Sequence, residues 1–322
     1  MIITKTPFRI SLGGGGTDLP SFYTGHGGYV ITMAINKYVY ITLKPDDFEG
    51  SIKLRYSEIE TVKTADELRN TRAREVLKLH NVCNVEINTC ADLSSRSGLG
   101  SSGSFLVGLI RAIREHKREV IDPTVIAEEA CDIEINRLRE PVGKQDQYIA
   151  SYGGVQVLDI GTDGNVKVTA LDFDTTTLIN KMHVYALNVY RDASDVLADQ
   201  NKATPQTIES LKVIKEYAYR TRELLVANDF DKYGLLLDEH WSVKKSLSKK
   251  ISIPKVDELY DLVKKDFCVL GGKIIGAGGG GFLLLYADKK HNELESFMRG
   301  LGMKRLTYML DVSGNRTIGN FT

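Results

Sequence analysis

The sequence predicts an α+β chain in two domains, with strands at its beginning, helices through much of its second half and strands again near its end. Three observations carry this. Residues 2–12 and 29–43 are dense in β-branched and aromatic side chains. Residues 194–266 read as mostly helical. KIIGA at 273–277 and GFLLLY at 281–286 then return to strand composition. A chain of 322 residues accommodates two domains, and a break near 175–182 is expected to divide 1–180 from 181–322.

In chain order, 2–12 and 29–43 are the first strands. NVEINT at 84–89 alternates, with Val85 and Ile87 on one face. The polar, Gly-rich loop ADLSSRSGLGSSG follows. It opens into a helix on which Phe105, Leu106, Leu109, Ile110 and Ile113 recur at helical spacing. A second helix is expected over about 123–138, then strands at GGVQVLDI and VKVTALDF. HVYALNVY at 183–190 opens the second half as a strand. A helix near 288–300 and a final strand at RLTYML (305–310) close the chain.

Composition narrows the function. Lys plus Arg balances Asp plus Glu at 42 each, so there is no cationic excess for a polynucleotide, and no nucleic-acid partner is expected. The longest apolar runs, such as FLLLYA, are too short to span a bilayer, so no membrane partner is expected. Cys83, Cys90, Cys131 and Cys268 form no CxxC pair and suit free thiols in a reducing cytoplasm.

Glycine is clustered at 13–16, at 98, 100 and 103, and at 276 and 278–281. It permits positive φ and close backbone approach to a ligand. Any one cluster could be a tight turn between strands. Gly98-Gly100-Gly103 and Gly276-Gly278-Gly281 both match G-x-G-x-x-G, but a dinucleotide fold needs strand, turn, helix and then another strand. The first is followed by two helices and the second by a strand, which argues against hydride transfer. Gly143-Lys144 is followed by Gln145, so no Walker A loop is present. The loop before the helix at 101 has the chemistry of an anion site, because a helix N-terminus presents unpaired N–H groups and partial positive charge. Ser101 and Ser102 could be N-caps or metal ligands. Glu134 and Asp146 are candidates for the carboxylates that phosphoryl transfer requires. On the residues alone, both read more often as solvated or salt-bridged surface charges, Asp18 as a turn residue and Arg9 as a strand-edge cation.

Taken together, PFRISLGGGGTDLP at 7–20, SGLGSSGSF at 97–105 and GAGGGGFLL at 276–284 resemble the three motifs of the GHMP kinase superfamily. The GGGGTD variant, VGKQDQYIASYGG at 142–154 and HWSVKKSLS at 240–248 resemble its sugar-1-kinases of the heptose and fucose type, over essentially the whole chain. One departure is Ser94, where the family usually has proline. The resemblance implies a two-domain GHMP kinase fold, with an N-terminal domain like ribosomal protein S5 domain 2 and a ferredoxin-like C-terminal domain. It implies ATP and Mg²⁺ as cofactors and a sugar or sugar-phosphate substrate. Asp146 then matches the catalytic aspartate and Arg9 its basic partner. Ser97, Gly98, Leu99, Gly100, Ser101, Ser102 and Gly103 match the triphosphate loop. Glu134 and Ser102 match the magnesium ligands. Gly15, Gly16, Thr17 and Asp18 match the sugar-contacting segment, and Gly278, Gly279 and Gly280 the substrate side of the cleft. The expected reaction is phosphorylation of the anomeric hydroxyl of a heptose 7-phosphate to the 1,7-bisphosphate, on a route to GDP-activated heptose. Free heptose or L-fucose as acceptor, and a sugar- and ATP-binding regulator, are the alternatives. Arg96, Lys144 and Arg191 are candidates to meet an acceptor's own phosphate. The oligomeric state stays open.

Overall fold

The structure, a computed structural model, describes residues 1–46, 48–94, 97–187, 204–248, 250–276 and 278–321. Eight strands form the first sheet: β1 (Ile2–Gly13), β2 (Gly28–Pro45), β3 (Ile52–Arg55), β4 (Ile59–Val62), β5 (Val85–Ala91), β6 (Val155–Ile160), β7 (Val166–Ala170) and β11 (Arg316–Asn320). Their order is β11-β1-β2-β5-β3-β4, with β6 and β7 branching from β2. The branch is possible because β2 is 18 residues long. Its first part pairs with β6 over 28–33 and its last part with β5 over 39–45. The β3–β5 pairing is parallel.

Helix α1 (Pro20–His26) follows β1, and α2 (Thr71–His80) precedes β5. Helix α3 (Ser101–His116) lies against β1 and β2. It buries Leu106, Leu109, Ile110 and Ile113, the expected face, each side chain contributing about 1.5–3 kcal/mol of hydrophobic stabilisation. The single helix expected over 123–138 is two pieces: α4 (Pro123–Cys131) and a π-helical stretch, Asp132–Arg137. Helix α5 (Gln145–Tyr152) packs against α4 and α3.

Helix α6 (Thr175–Lys181) leads into a second, antiparallel sheet of β8 (Met182–Ala186), β9 (Val269–Ile274) and β10 (Phe282–Ala287), in the order β8-β10-β9. Between β8 and β9 come α7 (Pro205–Val226), α8 (Phe230–Ser246) and α9 (Pro254–Asp266), and α10 (His291–Gly300) follows β10. The strand expected at 183–190 ends at Ala186, and 188–190 lie outside the described residues.

The final strand expected at RLTYML requires correction. Leu306 N–H donates to Val184 O (2.8 Å), and Arg305 bridges Tyr185, in the position a fourth strand beside β8 would occupy. By Leu310 the segment has left that sheet and bridges Ile35 of β2. It passes from one sheet to the other, so it cannot pair continuously with either. The last strand is β11, which returns to pair with β1.

Candidate active site

A cleft of about 850 Å³ opens among the first glycine loop, the loop before α3, the start of α5 and α8. Arg9 on β1 is 6% exposed and lies on its floor. Its Nε and Nη2 donate to Asp146 Oδ1 and Oδ2 at 2.7 and 2.9 Å, a bidentate pair, and Nη1 donates to Gly98 O at 2.5 Å. The Arg9 backbone N–H also bonds Leu99 O, 3.0 Å away. One residue therefore ties the first strand, the loop before α3 and the start of α5 together.

The loop before α3 is built for close approach. Gly100, at φ +84°, occupies the N-cap. A Cβ on it would sit 3.2 Å from both Arg9 Cγ and Asp146 Oδ2. A Cβ on Gly103 would come within 2.8 Å of Asp146 Cβ. Glycine at both positions is what lets α3 and α5 bring their N-terminal turns together. Gly98, Gly100, Ser101 and Ser102 line the cleft. Leu99 is fully buried in the core beneath them and Gly103 is packed against Asp146. Ser97 is buried behind the loop.

Glu134 sits on the π-helical stretch, 1% exposed; widened helical turns of this kind are frequent at functional sites. Its Oε1 accepts from Arg72 Nε (2.9 Å) and its Oε2 from Gln147 Nε2 (2.5 Å), while Arg72 also pairs with Glu140. Among the described residues no three His, Cys, Asp or Glu gather as a metal cluster. A cation held by Glu134 and Ser102 would complete its shell from phosphate oxygens and water. The buried Oε1 atoms of Gln145 and Gln147, both residues of the cleft wall, have no hydrogen-bond partner. Unpaired amide oxygens are acceptors, so they suit a cation or a hydrogen-bond donor and not an anion.

Asp18 ties the end of the first glycine loop to the start of α5. Its Oδ1 accepts from Gly16 N–H (3.0 Å) and its Oδ2 from Gln145 N–H (3.1 Å). Burial pushes its carboxyl above the ordinary value, against the pull of these two N–H groups. Gly15, Gly16 and Asp18 line the cleft. Thr17 does not: its hydroxyl is shared between the carbonyls of Gly14 and Tyr29 and accepts from Tyr29 N–H, latching the turn. Gly278, Gly279 and Gly280 are also absent from the cleft wall. Gly279 N–H bonds Ile251 O, and Gly276 alone of that cluster reaches the cleft.

Of the cations expected to meet a second phosphate, Arg96 and Arg191 lie outside the described residues. Lys144 is spent: its ammonium bonds both oxygens of Glu128 and Gly164 O. The sequence reading missed Arg72, Gln145, Gln147 and Lys244. Lys244 had a signal, since it follows Leu237 and Trp241 at helical spacing on the buried face of α8.

Comparison with known proteins bears on the family and the fold. The sequence model of the GHMP kinases N terminal domain matches residues 61–154 and that of the GHMP kinases C terminal domain residues 221–299, together more than half of the chain. The chain is 29% identical to D-glycero-alpha-D-manno-heptose 7-phosphate kinase of Campylobacter jejuni over 94% of each chain. It is 24% identical to L-fucokinase/L-fucose-1-P guanylyltransferase of Bacteroides fragilis over 88% of this chain and 34% of that one. The crystal structure of a D-glycero-D-manno-heptose 1-phosphate kinase from Bacteroides thetaiotaomicron shares the fold, with a TM-score of 0.77 over the full length of both chains at 21% identity. GHMP kinases use ATP as phosphate donor and a hydroxyl as acceptor, and the present chain belongs to this family as a two-domain phosphotransferase.

Proposed function

We propose that the enzyme phosphorylates the anomeric hydroxyl of a heptose 7-phosphate, giving the 1,7-bisphosphate. The observation that carries the chemistry is the bidentate Arg9–Asp146 pair on the floor of the cleft, directly beneath the glycine loop of α3. Likeness to the Campylobacter jejuni kinase over nearly its whole length supports the choice of acceptor.

In this reading the N–H groups of the first turn of α3, with Gly98, Gly100, Ser101 and Ser102, hold the triphosphate of ATP. Asp146 accepts the hydrogen bond of the anomeric hydroxyl, either taking up its proton or orienting its oxygen toward the γ-phosphorus, as the phosphoryl group passes from ADP to that oxygen. Arg9 holds the carboxylate in one orientation through two parallel bonds, so its freedom is spent before the acceptor arrives. Gly15, Gly16 and Asp18 face the sugar, whereas Thr17 and Gly278–Gly280 shape the cleft from behind. Glu134 and Ser102 are the residues that would hold Mg²⁺, which would supply charge neutralisation for the triphosphate. The proposed division at 180/181 puts the loop of α3 and the Arg9–Asp146 pair in the first half and α8 in the second. A cytoplasmic location belongs to this reading, because the donor is ATP.

The test is an ATP-turnover assay over a panel holding heptose 7-phosphate, free heptose, L-fucose and galactose. The expected result is the highest kcat/KM with heptose 7-phosphate. A comparable or higher kcat/KM with a free sugar would overturn the choice of acceptor.

A further inference from the structure

We propose that Lys244 recognises a phosphate group carried by the acceptor and sets the preference for phosphorylated over free sugar; this rests on the sugar-kinase reading above.

Among the described residues three cations line the cleft: Arg9, Arg72 and Lys244. Arg9 is committed to Asp146, and Arg72 bridges Glu134 and Glu140. Lys244 has no carboxylate within ion-pair distance among the described residues. Its one partner among those residues is Gly276 O, 2.6 Å from Nζ, and the residue is only 6% exposed. An ammonium carries three donors, so two are left without an acceptor among the described residues. The next residue on α8, Lys245, pairs with Asp257 in the ordinary way. Burying a cation without a counter-charge is costly. A cleft-lining cation kept in that state is a candidate to receive its counter-charge from a ligand.

The charges around Lys244 point to the acceptor side. Arg9 comes from β1 and Asp18 from the turn after it, Lys273 comes from β9, and His240 lies one helical turn earlier on α8. Burial pushes His240 far below its ordinary value, and neither of its ring nitrogens has a partner, so it adds no charge. Arg9 is balanced by Asp146, so Lys244, opposed only at longer range by Asp18, is the cleft cation with no carboxylate in ion-pair distance among the described residues, which suits a phosphate as its counter-charge. The same burial, with Arg9 beside it, brings the Lys244 ammonium down to about 8. Its charge is therefore present at neutral pH and lost in mild alkali.

A phosphate in this cleft has two sources, the acceptor or the transferable phosphoryl of ATP, and kinetics separate them. For Lys244→Met, the ratio of kcat/KM for heptose 7-phosphate over free heptose should fall about 10- to 100-fold, the effect of one charge-assisted bond. The KM for ATP should move less than twofold. Lys244→Arg should restore much of the ratio. In the wild type, kcat/KM for the phosphorylated acceptor should fall as pH rises through about 8, and Lys244→Arg should abolish that fall. A ratio unchanged in Lys244→Met overturns the proposal. So does an equal loss with both acceptors, or a raised KM for ATP, which would assign Lys244 to the transferred phosphoryl. A wild type that prefers free heptose would instead overturn the heptose 7-phosphate reading itself.

Discussion

Lys244→Met should make the unliganded enzyme more stable while impairing it. The lysine ammonium falls from 10.5 to about 8 in the folded chain, chiefly through burial. At about 1.4 kcal/mol for each tenfold change in proton affinity, that fall corresponds to about 3 kcal/mol. Methionine also loses the bond to Gly276 O, worth about 1 kcal/mol, which leaves a net gain of about 2 kcal/mol and a Tm higher by a few degrees. The sign follows from proton linkage. Below about pH 8 the lysine is protonated both folded and unfolded, and the whole penalty is present. Between about 8 and 10.5 the folded lysine gives up its proton first, and the penalty fades. The gain from methionine should therefore be largest near pH 7 and shrink toward pH 10. The assay is urea denaturation of both proteins at pH 7 and pH 10 in buffer free of phosphate and sulfate. A Lys244→Met protein less stable than wild type at pH 7, or one whose advantage is the same at both pH values, would refute the reasoning.

Asp146→Asn should lower kcat by roughly 10²–10⁴, with little change in the KM for ATP. Arg9→Met should cost a similar order and the double variant little more, because the two act as one unit; steady-state kinetics decide, and more than about a tenth of wild-type kcat in Asp146→Asn would leave Asp146 a structural role. Glu134→Gln should greatly weaken turnover at fixed magnesium while circular dichroism stays native, and near-normal kinetics at saturating magnesium would count against the metal assignment. Gly100→Val should abolish nucleotide binding measured by calorimetry, since its φ of +84° strains a β-branched residue and its Cβ would press on Arg9 and Asp146.

Local pattern made some of this legible. Strand β1, the amphipathic face of α3 and the glycine clusters all follow from residue type and spacing. Arg9, Glu134 and Asp146 were nominated by their chemistry, but family motifs, and not periodicity, gave them roles. What local pattern could not show was pairing at long range. RLTYML has strand composition, yet it is pulled between two sheets, because Arg305 meets Tyr185 and Leu310 meets Ile35. The parallel β3–β5 pairing and the return of β11 to β1 likewise depend on partners far away in the chain. Lys244 was overlooked because a lysine pair on a helix ordinarily means a solvated face, and its burial is made by β9 and the loop at Gly276. Thr17 carries the motif but spends its hydroxyl on the turn.

The third glycine cluster gains its meaning from the same long-range view. A Cβ on Gly276 would lie 2.6 Å from Gly98 O, one on Gly98 would lie 2.7 Å from Ile275 O, and one on Gly281 would lie 2.4 Å from Ser97 O. The two loops touch backbone to backbone, with no room for a side chain between them. Each touching loop also carries a cation on its carbonyl: Arg9 Nη1 on Gly98 O and Lys244 Nζ on Gly276 O. A continuous path of contacts thus runs from Asp146 through Arg9, Gly98 and Gly276 to Lys244, across the junction of the two sheets. The second half of the chain packs directly behind the loop before α3. A side chain forced in at 276 or 281 should therefore disturb the loop before α3 and the Lys244 end of the cleft together, even though neither residue contributes a functional group of its own.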